Sequence, residues 1–195
     1  MYLNLEEATH LKFSNCQGCQ QSCCDGSRFI LAPIVLDDFQ YIYKKFLITF
    51  AVIDGRLRMV MILSNGFSPC LYYKEGACTI YDERPPACVL YPYTPYDDEV
   101  LIDTTCDAIG EIGSEVNVGG TKLLDQVDPS FYHPRLEGFS QKLDESEAFL
   151  ESLNWEFRPI LQLGDIMLQA YTGNQQNSFI QMHKASLEFL NELRG

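Results

Sequence analysis

Apolar residues recur along this chain with two periods. Between residues 33 and 46, Val35, Phe39, Ile42 and Phe46 stand three or four apart, which predicts an amphipathic helix. Asp37 and Asp38 fall in its first turn, where the helix dipole favours negative charge. Two β-branched apolar runs follow, 47–53 and 57–63, joined at Asp54-Gly55. That junction predicts a hairpin, because a two-residue turn needs positive φ and glycine supplies it. Residues 99–105 read as one more short strand, and 68–96, rich in Pro, Gly and Tyr, as irregular loop. Beyond them, 141–153, 159–171 and 178–193 carry apolar residues three and four apart, for example Phe179, His183, Leu187 and Leu190, and predict three helices.

This pattern predicts an α+β protein in two parts: a cysteine-rich domain over residues 1–115, with a hairpin and a helix, then a linker and helical region over 116–195. The linker is expected between Gly110 and Gly138, where Gly119-Gly120, Asp128-Pro129 and His133-Pro134 interrupt any period. Periodicity alone leaves open whether the C-terminal helices cap the first domain, form a bundle of their own, or mediate contact with a partner protein or a second copy of the chain.

A hydrophobic fraction of 46% is enough for a packed core. No apolar run reaches the roughly 18 residues of a membrane span. The acidic start, Met1 to Glu7, lacks the basic and apolar regions of a secretory signal, so a reducing cytoplasm is the expected compartment. The net charge of −13 argues against a binder of nucleic acid, whose phosphates this surface would repel, and weakens the case for an anionic membrane surface.

The chemistry-bearing feature is cysteine. All eight lie within the first 106 residues: Cys16, Cys19, Cys23, Cys24, Cys70, Cys78, Cys88 and Cys106. Cys16-Gln17-Gly18-Cys19 is a Cys-x-x-Cys turn, which lets two sulfurs converge on one ion at about 2.3 Å, as in zinc knuckles and iron–sulfur loops. Cys23 and Cys24 are adjacent, and adjacent side chains diverge on either a strand or a helix. They suit two ions, a multi-iron cluster, or one ligand beside one supporting group. Cys70, Cys78, Cys88 and Cys106 are widely spaced among turn-forming residues and complement the first four, making eight candidate thiolates for one or two centres. A thioredoxin-like role is disfavoured, since its Cys-x-x-Cys opens a helix after a strand.

The combined pattern is Cys16-x-x-Cys19-x-x-x-Cys23-Cys24, Pro69-Cys70, Gly76-x-Cys78-x-Ile80-Tyr81, Arg84-Pro85-x-x-Cys88-x-x-Tyr91-Pro92 and the isolated Cys106. It resembles the YkgJ-like cysteine-cluster (CxxCxxCC) family, described as zinc- or iron-chelating domains, over residues 13–110. The resemblance implies Zn²⁺ or an iron–sulfur cluster held by these thiolates. Some larger relatives look like flagellin lysine methylases, so it also admits a cluster-dependent enzyme. Val89 stands where the family often has arginine.

Around these ligands, Arg84 is a candidate donor to a sulfur or a carboxylate, stiffened by Pro85-Pro86. Asp25 and Asp107, each beside a cysteine, are candidates for supporting hydrogen bonds. Tyr72, Tyr73, Tyr81, Tyr91, Tyr93 and Tyr96 are expected to wall the site from water. His10, His133 and His183 are scattered and read as surface or packing residues, and no glycine-rich nucleotide loop is present. Three functions stand: a metal-binding module, an enzyme using a cluster for redox or methyl-transfer chemistry, and an interaction protein merely folded by its metal.

Overall fold

The computed structural model describes residues 2–4, 10–13, 23–26, 29–96, 99–103, 105–106, 114–117 and 139–194. In chain order the strands are β1 (Tyr2–Asn4), β2 (His10–Phe13), β3 (Leu31–Pro33), β4 (Ile48–Ile53), β5 (Arg56–Ile62) and β6 (Tyr73–Lys74). They continue with β7 (Ala77–Cys78), β8 (Tyr93–Tyr96), β9 (Glu99–Asp103), β10 (Ser114–Asn117), β11 (Phe157–Leu163) and β12 (Ile166–Tyr171). The fold is mixed α+β with antiparallel sheets. It divides into two compact units that interleave along the chain rather than following it. One holds Cys23–Lys74, Cys78–Ala87 and Gln141–Gly195; the other holds Met1–Ser22, Glu75–Ala77 and Cys88–Ser140.

The first unit is built on a five-stranded sheet in the order β11-β12-β4-β5-β3. Its central hairpin forms as expected. Asp54 (φ 51°) and Gly55 (φ 76°) both take the left-handed conformation that a tight turn between right-twisted strands requires. The apolar residues at 35, 39, 42 and 46 are all buried, but the helix they predict is much shorter. Pro33 ends β3, paired with Val60 on the sheet edge where a missing N–H is tolerated. A 3₁₀ turn then spans Leu36–Asp38, and the α-helix covers only Phe39–Ile42. Buried Asp38 accepts the Val35 N–H at 3.0 Å, and Ser146 Oγ accepts that of Leu36 at 3.2 Å.

The C-terminal segment is not helical throughout. Residues 159–171, expected to be a helix, lie in the β11-β12 hairpin, which turns at Gly164 (φ 55°) and Asp165 and joins β4. The other two predicted helices are present: Phe139–Ser152, and Ser178–Ser186 continued through a 3₁₀ turn at Leu187–Phe189 into Leu190–Arg194. Leu187, Leu190 and Leu193 pack on a buried cluster of Leu47, Ala51, Val60, Ile62, Leu163 and Leu168. Phe179 meets Phe39 and Phe149 edge-on at 5.8 and 5.6 Å between ring centres. The apolar face of this last helix is therefore engaged within its own unit.

Strands β12 and β4 pair at Leu168–Ala51 and Gln169–Phe50. Past that ladder, His183 bridges the two backbones. Its Nε2 accepts the Tyr171 N–H at 3.2 Å while Nδ1 lies 2.8 Å from the Ile48 carbonyl, a pairing that places the proton on Nδ1. Ser186 Oγ accepts the Ile48 N–H at 3.0 Å. His183 is fully buried, and burial chiefly, with the Ile48 carbonyl pulling the other way, drops its pKa to about 4. It is a packing histidine, as expected.

In the second unit β1, β9 and β8 form one antiparallel sheet and β10 and β2 another. The strand expected at 99–105 is β9. Among the described residues no helix is long and apolar enough to cross a membrane.

Candidate metal centre

The loop after β5 is shaped by its own polar groups. Asn65 Oδ1 accepts the N–H groups of Phe67 and Ser68 at 3.0 and 2.8 Å, and Ser64 Oγ accepts that of Gly66 at 3.1 Å. This fixes the path of the chain into Cys70. The Cys23–Gly26 segment docks against it: the Cys70 N–H donates to the Cys24 carbonyl at 2.8 Å. Gly26 is buried at φ 84°, and a Cβ there would run into the Ser68 carbonyl. A local backbone requirement thus brings the end of the first cysteine cluster to the start of the second.

Substituting Gly26→Ala combines left-handed strain with that overlap, and is expected to destabilise the unit by about 1–3 kcal/mol in urea unfolding. Gly66 has the same φ of 84°, but a Cβ there meets only the Ile30 side chain, at ordinary contact distances of 3.4 and 3.9 Å. Gly66→Ala is the control and should cost clearly less. Equal losses would mean that docking against Ser68 contributes nothing.

Cys70 is buried and Cys78 half-buried, on β7 after the turn at Glu75 (φ 51°) and Gly76 (φ 81°). The backbone joins Cys24 to Cys70 through the Cys70 N–H. Burial is the main force raising the Cys70 thiol, to about 11, and the Cys24 and Cys78 sulfurs add to it; the backbone N–H groups of Tyr72 and Tyr73 oppose it. Cys78 is likewise raised, first by burial and then by Cys24, against the Ile80 N–H and Arg84. N–H groups two and three residues after a cysteine, turned towards its sulfur, favour thiolate over thiol.

Tyr72 braces this arrangement. Its ring meets Phe46 edge-on at 5.1 Å, and its hydroxyl donates to the Lys45 carbonyl at 3.2 Å. Lys45 in turn donates to the carbonyl and carboxylate of Glu83, at 3.0 and 2.8 Å. Arg84 follows, with Pro85-Pro86 holding it extended (ψ 142°) at the end of the 3₁₀ turn Tyr81–Glu83.

In the other unit, Cys88 sits on the short helix Pro86–Leu90 and Cys106 after a turn organised by Asp103. The Asp103 carboxylate accepts the Tyr91 hydroxyl at 3.1 Å and the Thr105 N–H and hydroxyl at 3.0 and 2.6 Å. Its buried position would raise its pKa, yet these hydrogen bonds hold it below the usual carboxylate value. The Asp103 carbonyl accepts the Cys106 N–H at 3.1 Å, so this aspartate, which sequence reasoning missed, positions Cys106. An Asp two residues before a Thr at a strand end is the signal that could have found it.

Of the eight cysteines, then, Cys24 and Cys70 are joined through their backbones, Cys23 precedes Cys24, and Cys78 lies on β7 in the same unit. Cys88 and Cys106 belong to the other unit, and Cys16, Cys19 and Asp107 lie outside the described residues. Asp25 is exposed, and the Tyr93 and Tyr96 side chains are outside the described set. Among the described residues, no three His, Cys, Asp or Glu side chains are gathered closely enough to hold an ion. No protein-family model, curated protein or solved structure matches the chain.

Proposed function

We propose that this is a metal-binding protein of the YkgJ-like cysteine-cluster kind, holding Zn²⁺ or an iron–sulfur cluster through cysteine thiolates in the cytoplasm. The observation that carries the reading is the spacing of the eight cysteines, with the backbone bond from the Cys70 N–H to the Cys24 carbonyl bringing the end of the first cluster to the start of the second. Cysteine thiolates are a suitable soft donor set for a divalent ion or a cluster. Cys16, Cys19, Cys23, Cys88 and Cys106 are the other candidate ligands of the pattern.

When bound, the ion or cluster supplies positive charge that gathers the sulfurs. The chain's part is to release thiol protons, orient the sulfurs through the Tyr72, Tyr73 and Ile80 N–H groups, and keep water away with Tyr72 and Phe46. The net charge of −13 fits a protein without a nucleic-acid partner. The engaged face of the last helix leaves the interaction-module reading without a specific observation.

Titrating reduced, metal-free protein with Co²⁺ tests the proposal. Thiolate-to-cobalt charge-transfer absorption saturating at one or two ions per chain is expected. Its absence from the folded wild-type chain would remove the reading.

A further inference from the structure

The helix Phe139–Ser152 ends in a turn that does not suit the tryptophan it carries. The Glu156 N–H donates to the Leu153 carbonyl at 3.2 Å, closing a four-residue turn around Asn154 and Trp155. Both central residues have positive φ, 50° at Asn154 and 58° at Trp155, which is the type I′ geometry. Asparagine accepts the left-handed conformation at the first position. The second favours glycine, and a bulky side chain there is strained.

The fold gives this tryptophan nothing in return. Its side chain is 68% exposed, whereas Leu153, two residues earlier, is fully buried. Among the described residues no aromatic ring meets it and no cation stands over it. A lone exposed apolar residue is ordinary on a protein surface. A tryptophan placed where backbone preference and burial both oppose it breaks the local rules, and such breaks belong to functional positions.

The charge around the turn sets the sign of what the ring can meet. Asp144, Ala148 and Glu151 share one exposed stripe of the helix, with Glu145 beside it, and Glu156 follows the tryptophan, also exposed. Glu151 is tied to the turn, since its carbonyl accepts the Asn154 N–H at 3.3 Å. It stands in the last helical turn, where the dipole favours a cation, and that turn carries no basic residue. The helix's lysine, Lys142, is directed instead at Asp37, 3.6 Å away. A cation from outside would meet the negative face of the indole and these carboxylates together. A second copy of the chain, with its charge of −13, would be repelled.

We propose that Trp155 is the anchor of a docking surface for another protein, which presents an arginine- or lysine-bearing segment to the indole and to Glu151. The surface is separate from the cysteines and from the engaged apolar face of the last helix, so it does not rest on the metal-binding reading.

Trp155 is the chain's only tryptophan, so its fluorescence reads the site directly. Full-length protein is titrated with an acetylated hexa-arginine peptide, a hexa-glutamate peptide and uncharged phosphatidylcholine vesicles. Saturable change with hexa-arginine alone is expected, weaker at high salt and about two- to fivefold weaker in Glu151→Gln. Calorimetry should find hexa-arginine binding more than about tenfold weaker in Trp155→Gly. The urea midpoint of that same variant should rise above wild type, because glycine suits the turn. Equal hexa-arginine affinity in wild type and Trp155→Gly would overturn the proposal, by showing attraction to net charge only. A lowered urea midpoint would overturn it as well, since Trp155 would then serve the fold. A spectral change with vesicles and none with hexa-arginine would replace the protein partner with a membrane.

Discussion

Cys70→Ser is expected to lower Co²⁺ and Zn²⁺ affinity by about two orders of magnitude while leaving the metal-free fold nearly intact. Structural zinc contributes roughly 10–16 kcal/mol, which shared over four ligands gives about 3 kcal/mol for one thiolate. A serine hydroxyl fills the same buried space but is too hard and too reluctant to ionise to replace a thiolate. Cys70 is the right residue to change because it is more buried than Cys24 or Cys78 and is flanked by the N–H groups of Tyr72 and Tyr73. Its N–H, which binds the Cys24 carbonyl, survives the substitution. The loss should therefore appear as a smaller rise in Tm on adding zinc, not as a lower Tm without it. An undiminished zinc-induced rise would show that Cys70 is no ligand.

The second large effect is on stability and owes nothing to metal. His183→Leu is expected to cost about 2–4 kcal/mol at pH 7, because it leaves the buried Tyr171 N–H without a partner and the Ile48 carbonyl with only the longer Ser186 Oγ contact at 3.3 Å, an unpaired buried group costing about 1–3 kcal/mol. The wild type should also show the histidine in its pH dependence. Its pKa is 6.5 in the unfolded chain and about 4 in the fold, depressed first by burial and then by neighbouring Lys184, so between those values the unfolded state binds the proton and the folded state does not. The neutral-histidine contribution is complete above about pH 6.5, falls as pH drops towards 4, and is lost below it. The change amounts to about 3 kcal/mol over that window. Urea midpoints measured at pH 7 and pH 5 should converge between wild type and His183→Leu, and a gap that stays constant would show that His183 is not buried in its neutral form.

Much of the fold can be read from local chemistry, and the failures have physical causes. Asp54-Gly55 gives the central hairpin because its turn needs positive φ at both positions, which few residue pairs accept. Val35, Phe39, Ile42 and Phe46 are correctly read as one buried group, yet burial on one side does not require a continuous helix, and Pro33 belongs to the sheet. Residues 159–171 mislead because Ile160, Leu161, Leu163, Ile166, Met167 and Leu168 satisfy a helical period as well as strand alternation. Gly164-Asp165, a two-residue turn signal, is what separates them.

The site was legible as a set of cysteines but not as an arrangement. Nothing near Cys24 in the sequence announces that it lies beside Cys70, since that contact depends on Gly26 fitting against a carbonyl 42 positions away. The stack of Arg84 on Tyr81 and the turn made by Asp103 are similarly invisible to periodicity. They depend on backbone conformations that proline and hydrogen bonding impose only once the chain is folded.

The central claim is that these cysteines hold metal, and the most direct measurement is the metal and sulfide content of protein purified without oxygen, read with its visible spectrum. The account predicts bound metal: one or two zinc ions in a colourless protein, or iron with acid-labile sulfide in a brown one. Folded protein that carries neither, with all eight thiols open to titration, would contradict it.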